Sequence, residues 1–271
     1  MDVVLIQDLK HLLEYRIDPD LKPLYKKVLD RVFLCLSKGE PSFTDFYDPV
    51  KWGLFANIIK KYVSNINVAA YGGAEESERR KLCFTPDGFI GDIPYPITCI
   101  VIKHEKKFNK SPRHQDYLGA IIGLGFDRSK IGDIVLYEEG YARVYVCSKI
   151  ADYICSQLHK AGKANVQANK YTEADIFTEK PSEKEVNINT KSMRLDAVCA
   201  SVFKLSRGRI QALIKAKKAF VNWSEKTGPD LLLKTGDVIT LRGYGRMRIG
   251  EVTAVTKKDR LRLTIYLNIS N

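Results

Sequence analysis

The sequence predicts an α+β protein built as a near-neutral body followed by a small basic module, and three observations carry that expectation. Apolar residues recur at helical spacing as far as Val63, and from Ile66 they fall into short runs separated by glycine turns. Residues 177–192, "FTEKPSEKEVNINTKS", are polar and charged with few large apolar side chains, the composition of a linker. Charge is divided unevenly: residues 190–271 hold 17 Lys and Arg against 6 Asp and Glu, whereas the rest of the chain holds 27 against 26.

Residues 3–17 and 19–38 read as two helices split by "IDPD". Leu21, Leu24, Tyr25, Val28, Leu29, Val32 and Leu36 line one face of the second. "GEPSFTDFYDP" is a loop. Asp48 then caps a third helix, with Pro49 in its first turn, that runs to about Val63. Residues 1–65 therefore form an N-terminal helical subdomain. From 66 to 176 strands and helices alternate. "INVAAYGG", "KLCF" and "ITCIVIKHE" are strands, and "SPRHQDYLGAIIGLG" is a helix stopped by Gly123 and Gly125. "GDIVLYEEGYARVYVCS" is a hairpin, "KIADYICSQLHKAG" a helix with a glycine stop, and "ANVQANKY" a last strand. This order predicts a small RRM-like sandwich.

The module, residues 193–271, opens on a helix whose Leu195, Val198, Cys199 and Val202 share one face. A second helix follows Ser206. Its apolar stripe is Ile210, Leu213 and Ile214, and Arg207, Gln211, Lys215 and Lys218 lie beside it. "AFVNW", "VITLRG" and "RLRLTIYL" are strands, the last alternating Leu261, Leu263, Ile265 and Leu267 with Arg260, Arg262, Thr264 and Tyr266. No acidic residue interrupts Lys204 to Val221. Like charges repel along such a face unless a polyanion relieves them. The expected partner is structured RNA, held mainly through its phosphates by Arg194, Lys204, Arg207, Arg209, Lys215, Lys217 and Lys218. Gln211, Arg242, Arg246 and Arg248 join this candidate surface. Ser206 fits either a phosphate contact or a helix cap.

A second RNA surface has two candidate parts. Gly72 and Gly73 beside Arg79 and Arg80 suit a tight turn or an RNA contact. The basic loop "EKKFNKSPR" brings Lys107, Lys110, Arg113 and the adjoining His114, either as a contact or as a solvated loop.

Other classes are disfavoured. There is no run of 18 apolar residues, so no membrane span is expected. The start lacks the basic, apolar and small-residue regions of a secretion signal, and the six cysteines form no C-x-x-C pair. A cytoplasmic protein with reduced, buried thiols is expected. His11, His104, His114 and His159 have no metal-ligand spacing, and Gly123 and Gly125 follow a helix rather than a strand. Neither a metal nor a cofactor is expected.

"MRLDAVCASVFKLSRGRIQALIKAKKAFVNW" with "LKTGDVITLRGYGR" resembles the alpha-L RNA-binding motif, the small domain of S-four type. "YGGAEESERR", "RHQDYLGAIIGLGFDRSKIGDIVL" and "RGYGRMRIGEV" resemble the bacterial YlmH family over nearly the whole chain. Where that family is expected to read His-Arg-Asp, this chain has Arg113-His114-Gln115-Asp116. The resemblance implies a non-enzymatic RNA-binding protein, and a monomer is expected. Its expected partner is ribosomal RNA of the large subunit, with tRNA nearby, in quality control of stalled nascent chains. It also implies a link to cell division. Two alternatives stand beside it. One is an RNA-modifying enzyme, either of pseudouridine-synthase type, suggested by Asp196 in its Arg-Leu-Asp setting, or of methyltransferase type, which the helix before Gly123 and Gly125 weakens. The other is a cell-division scaffold.

Overall fold

A computed structural model describes residues 18–104, 111–137, 140–171, 184–224, 228–256 and 259–268. The expected helix over 3–17, Lys107, Lys110 and residues 177–183 of the expected linker lie outside them. The architecture is α+β, with antiparallel sheets throughout, in two compact units.

The first unit begins with a single 3-10 turn, Pro19–Leu21, and α1, Lys22–Lys38. Tyr25, Val28, Leu29, Val32 and Cys35 are its buried stripe, and it ends where Gly39 takes a φ of 69°. After β1, Ser42–Phe43, Asp48 caps α2, Pro49–Tyr62, by accepting the Lys51 N–H at 3.0 Å. β2, Ile66–Tyr71, and β3, Lys81–Pro86, complete a sheet in the order β1-β3-β2. Ile66, Leu82 and Phe84 share one core with Val28, Phe55 and Ile59. The core thus runs across the boundary that the change of period suggests at Ile66. Two helices with one apolar face each need a sheet to close them, and β2 and β3 supply it.

The chain continues with β4, Ile97–His104; α3, His114–Gly123; β5, Ile131–Tyr137; β6, Tyr141–Cys147; α4, Ser148–Gln157; β7, Lys160–Ala161; and β8, Ala164–Lys170. The strands form one sheet in the order β5-β6-β4-β8-β7. α4 packs on β8, β4 and β6. It ends before the glycine expected to stop it. Leu158 is already extended, and Gly162, φ 58°, turns β7 into β8 instead.

The second unit is a five-stranded sheet with two helices: β9, Lys184–Thr190; α5, Leu195–Phe203; α6, Arg207–Lys215; β10, Ala219–Val221; β11, Val238–Leu241; β12, Gly245–Val255; and β13, Leu261–Asn268. The order is β10-β11-β12-β13-β9. Ile210, Leu213 and Ile214 enter its core with Val198, Ile239, Ile249 and Ile265. β9 lies in the segment expected to be a linker. Val186, Ile188 and Thr190 alternate with polar residues, and pairing with Ile265, Leu263 and Leu261 of β13 buries Ile188 and Thr190. β12 was hidden by charges: Met247 and Ile249 face the core, and register shifts between Ile249 and Ala254 break the alternation.

All six cysteines are free thiols. Burial pushes those of Cys83 and Cys199 up to about 12. Among the described residues no helix is long and apolar enough to cross a membrane.

Candidate nucleic-acid interface

The helix pair of the second unit is organised around an acid. Asp196 lies in the first turn of α5 and is 1% exposed. Arg194, at the helix N-cap, donates from Nε to its Oδ1 at 3.2 Å. Arg207, in the first turn of α6, donates to the same oxygen at 2.9 Å, and Gln211, one turn on, donates to Oδ2 at 3.0 Å. Burial alone would push this carboxyl up. The hydrogen bonds from Arg194, Gln211 and Arg207, with the charge of Arg207, outweigh it and hold the group at about 2. Asp196 is therefore a fixed anion that orients three of the expected RNA contacts.

The other expected contacts surround this hub. Ser206 caps α6 by accepting the Arg209 N–H at 3.2 Å, the structural half of its two readings. Lys204 closes α5 in the left-handed region, φ 55°, and Lys217 takes the same conformation in the turn after α6. Lys204, Arg209, Lys215, Lys217 and Lys218 are all exposed. The turn reaches the sheet where the Arg242 N–H donates to the Lys218 carbonyl at 2.8 Å. Arg242, Arg246 and Arg248 are not on the helix flank. Arg246 and Arg248 lie on β12 and Arg242 in the turn before it, each over an aromatic ring.

The Gly72–Arg80 turn is built as a structural knot. A Cβ at Gly72 would stand 2.4 Å from the Arg79 carbonyl oxygen, and one at Gly73, φ 104°, would stand 2.3 Å from the Tyr145 ring. Arg79 donates to the carbonyls of Ile131 at 3.0 Å, Phe46 at 3.0 Å and Arg128 at 3.3 Å. Asp133 accepts the backbone N–H groups of Glu78 and Arg79. Burial pulls the Arg79 guanidinium down, and takes Arg128 down to about 10 with help from the charge of Arg79. It also pushes the Asp133 carboxyl up despite its two donors. Arg80 donates to the Ser77 and Glu75 carbonyls and lies over Trp52. These arginines hold backbone carbonyls. Arg113 and His114 stand at the start of α3, where Asp116 accepts the Arg113 N–H at 2.8 Å.

Comparison with known proteins follows these features. Residues 92–175 match a family described as "Putative RNA-binding domain in YlmH". Over 222 residues the chain is 31% identical to the ribosome-associated protein quality control protein P2 of Bacillus subtilis, covering 82% of this chain and 85% of that protein. The chain belongs to the YlmH family. A solved structure, the cell division protein ylmH from Streptococcus pneumoniae, is similar with a TM-score of 0.47 and 20% identity, over 59% of this chain and 96% of that one.

Within the segment that matches the YlmH domain, the β4-β6-β8 sheet is two-sided. Ile100, Ile102, Ala142, Val144 and Ala168 are buried on one side. On the other, Lys103 pairs with Gln167, Val101 pairs with both Arg143 and Asn169, and the Arg143 guanidinium lies 5.1 Å from the centre of the Tyr171 ring. Lys103, Gln167, Asn169 and Tyr171 are exposed. The members of this face come from separated strands, and only the register brings them together. Its signal in the sequence is Lys103 in "CIVIKH", Arg143 in "YARVYV" and the alternate Asn165, Gln167 and Asn169 of "NVQANK".

Proposed function

We propose that this YlmH-family chain is a non-enzymatic RNA-binding adaptor that docks on ribosomal RNA of the large subunit, with tRNA nearby. It would act there in quality control of stalled nascent chains. The observation that carries the reading is the Asp196 hub. A buried carboxylate fixes Arg194, Arg207 and Gln211 beside the exposed Lys215, within a stretch, Lys204 to Val221, that holds no acidic residue. Cations held in place and facing solvent suit phosphates at fixed spacing.

In this reading the terminal unit is an S-four-type module of alpha-L kind, and the β4–β8 sandwich is RRM-like. Lys103, Arg143 and Tyr171 of the sandwich then supply the second RNA surface. The relative's name, a ribosome-associated quality control protein, supports the ribosomal setting. Asp196 is engaged by three donors, which supports an organising role over a catalytic one.

Arg207→Glu with Lys215→Glu tests the reading. Both side chains are exposed, so the fold should survive within about 0.5 kcal/mol per site. Co-sedimentation with large ribosomal subunits should fall at least about tenfold, as two attractive contacts become repulsive. A folded double mutant that still sediments would refute it.

A further inference from the structure

The sheet of the second unit has a face turned away from its helices. Ile239, Leu241, Met247, Ile249 and Ile265 occupy the core side. On the far side, Phe220, Thr240 and Arg246 stand in one cross-strand row, and Val238, Arg248 and Tyr266 in the next. Each arginine there covers a ring. Arg242 lies 4.4 Å from the centre of Phe220, Arg246 5.0 Å from Trp223, and Arg248 4.2 Å from Tyr266. Glu185, opposite Tyr266 on β9, bounds the row.

Trp223 is the unusual member. It follows Asn222 in a two-residue turn closed by Val221 N–H to the Ser224 carbonyl at 3.1 Å and Ser224 N–H to the Val221 carbonyl at 2.9 Å. Both turn residues lie in the left-handed region, at φ 48° and 64°. Asparagine followed by glycine is the natural pair for such a turn. Asn222 conforms, and its side chain is pinned to Asp237 at 2.9 Å and to the Val238 N–H at 3.0 Å. A tryptophan at φ 64° is a backbone outlier, and its ring is only half-buried, so core packing does not require it there.

We propose that this face binds an unpaired RNA segment, with Trp223 as its stacking anchor. A nucleobase has a flat π-face that stacks on indole, phenyl or phenol rings and on guanidinium planes whatever the sequence. The N–H edges of the same arginines meet the phosphates between bases. Among the described residues, three cations each paired with a ring give the face a positive charge and stacking planes together, with the carboxylates of Glu185 and Asp237 only at its margin, and that combination suits a polyanion that carries bases. The proposal rests on the RNA-binding reading above but places a different RNA element on a different surface. The helix flank takes structured RNA by its backbone, and the sheet takes bases that have left a helix.

The test compares two probes on the full chain: a blunt RNA hairpin, and the same hairpin with a single-stranded extension of about six nucleotides. The extension should tighten wild-type binding at least about fivefold. Trp223→Gly should abolish that gain, leave the affinity for the blunt hairpin unchanged, and keep or raise the melting temperature, because glycine accepts the turn's φ. Trp223→Asn, whose residue also tolerates this region, should behave alike and guards against a folding artefact. Oligouridine should quench the tryptophan fluorescence of the wild type and not that of Trp223→Gly. Equal wild-type affinity for both hairpins overturns this proposal alone, as does an extension effect that survives in a folded Trp223 variant. Failure to bind either probe overturns the RNA-binding reading with it. Displacement of the extension by poly-glutamate at equal charge assigns the face to an acidic protein and also overturns the proposal.

Discussion

Arg207 reaches from the first turn of α6 to the carboxylate of Asp196 on α5 across 2.9 Å, and half of the arginine side chain stays in solvent while its acid has almost no exposure. Ion pairs between two exposed groups are weak, because both ends remain free to move and to hydrate. Here one end is rigid and dry, so the cation is positioned without being hidden.

Acid should therefore loosen the second unit in a defined window. The Asp196 carboxyl is depressed to about 2 when folded, against about 4 in an open chain. Its contribution is complete well above about pH 4 and is lost as pH falls toward about 2, about 2–3 kcal/mol in all. Asp196→Asn should remove that contribution at neutral pH and flatten the acid limb. Chemical denaturation followed by circular dichroism at pH 6, 4, 3 and 2 measures both effects. A mutant whose stability falls with acid as steeply as the wild type would show that another group is responsible.

Gly73→Ala should destabilise the first unit by about 2–4 kcal/mol. The added Cβ meets the Tyr145 ring at 2.3 Å, on a backbone with φ 104°. Thermal melting reads this directly. A glycine present only to let RNA approach would tolerate alanine without loss of stability.

Arg79→Lys separates a structural arginine from an RNA contact. Lysine keeps the charge but cannot span the carbonyls of Ile131, Phe46 and Arg128 as the planar fork does. A loss of about 2–4 kcal/mol is expected. An unchanged melting temperature with weakened RNA binding would return Arg79 to the interface.

Leu213→Ala should reduce the stability of the second unit by about 2–5 kcal/mol, because the side chain is 5% exposed within the core. RNA affinity should fall only at temperatures where unfolding is detectable. Binding isotherms taken well below the melting transition should superimpose on the wild type.

Much of this architecture was legible because each helix carries a clear stripe and punctuation. Asp48 and Pro49 start α2, and Ile210, Leu213 and Ile214 define the buried side of α6. β9 was not legible, since "KEVNINT" is polar in composition and buries Ile188 only beside a strand more than seventy positions away. The candidate site was half legible. Residue type and spacing marked the basic flank, but nothing local marks Asp196 as its hub or Arg79 as a carbonyl clamp. Both depend on partners brought in by the fold. The ring partners of Arg242, Arg246 and Arg248 were missed for the same reason.

The ladder between β9 and β13 has a consequence for biogenesis. β13 lies between β12 and β9, so until Leu261–Leu267 has left the exit tunnel β9 has no strand partner and the Asp196 hub sits on an unfinished sheet. The basic helices emerge well before the strand that completes their platform. Joining ends so far apart in sequence is a slow, all-or-none closure. A chain stopped short of β13 thus presents its cations without the ladder that completes their platform, and gains a shaped grip only once that strand has emerged.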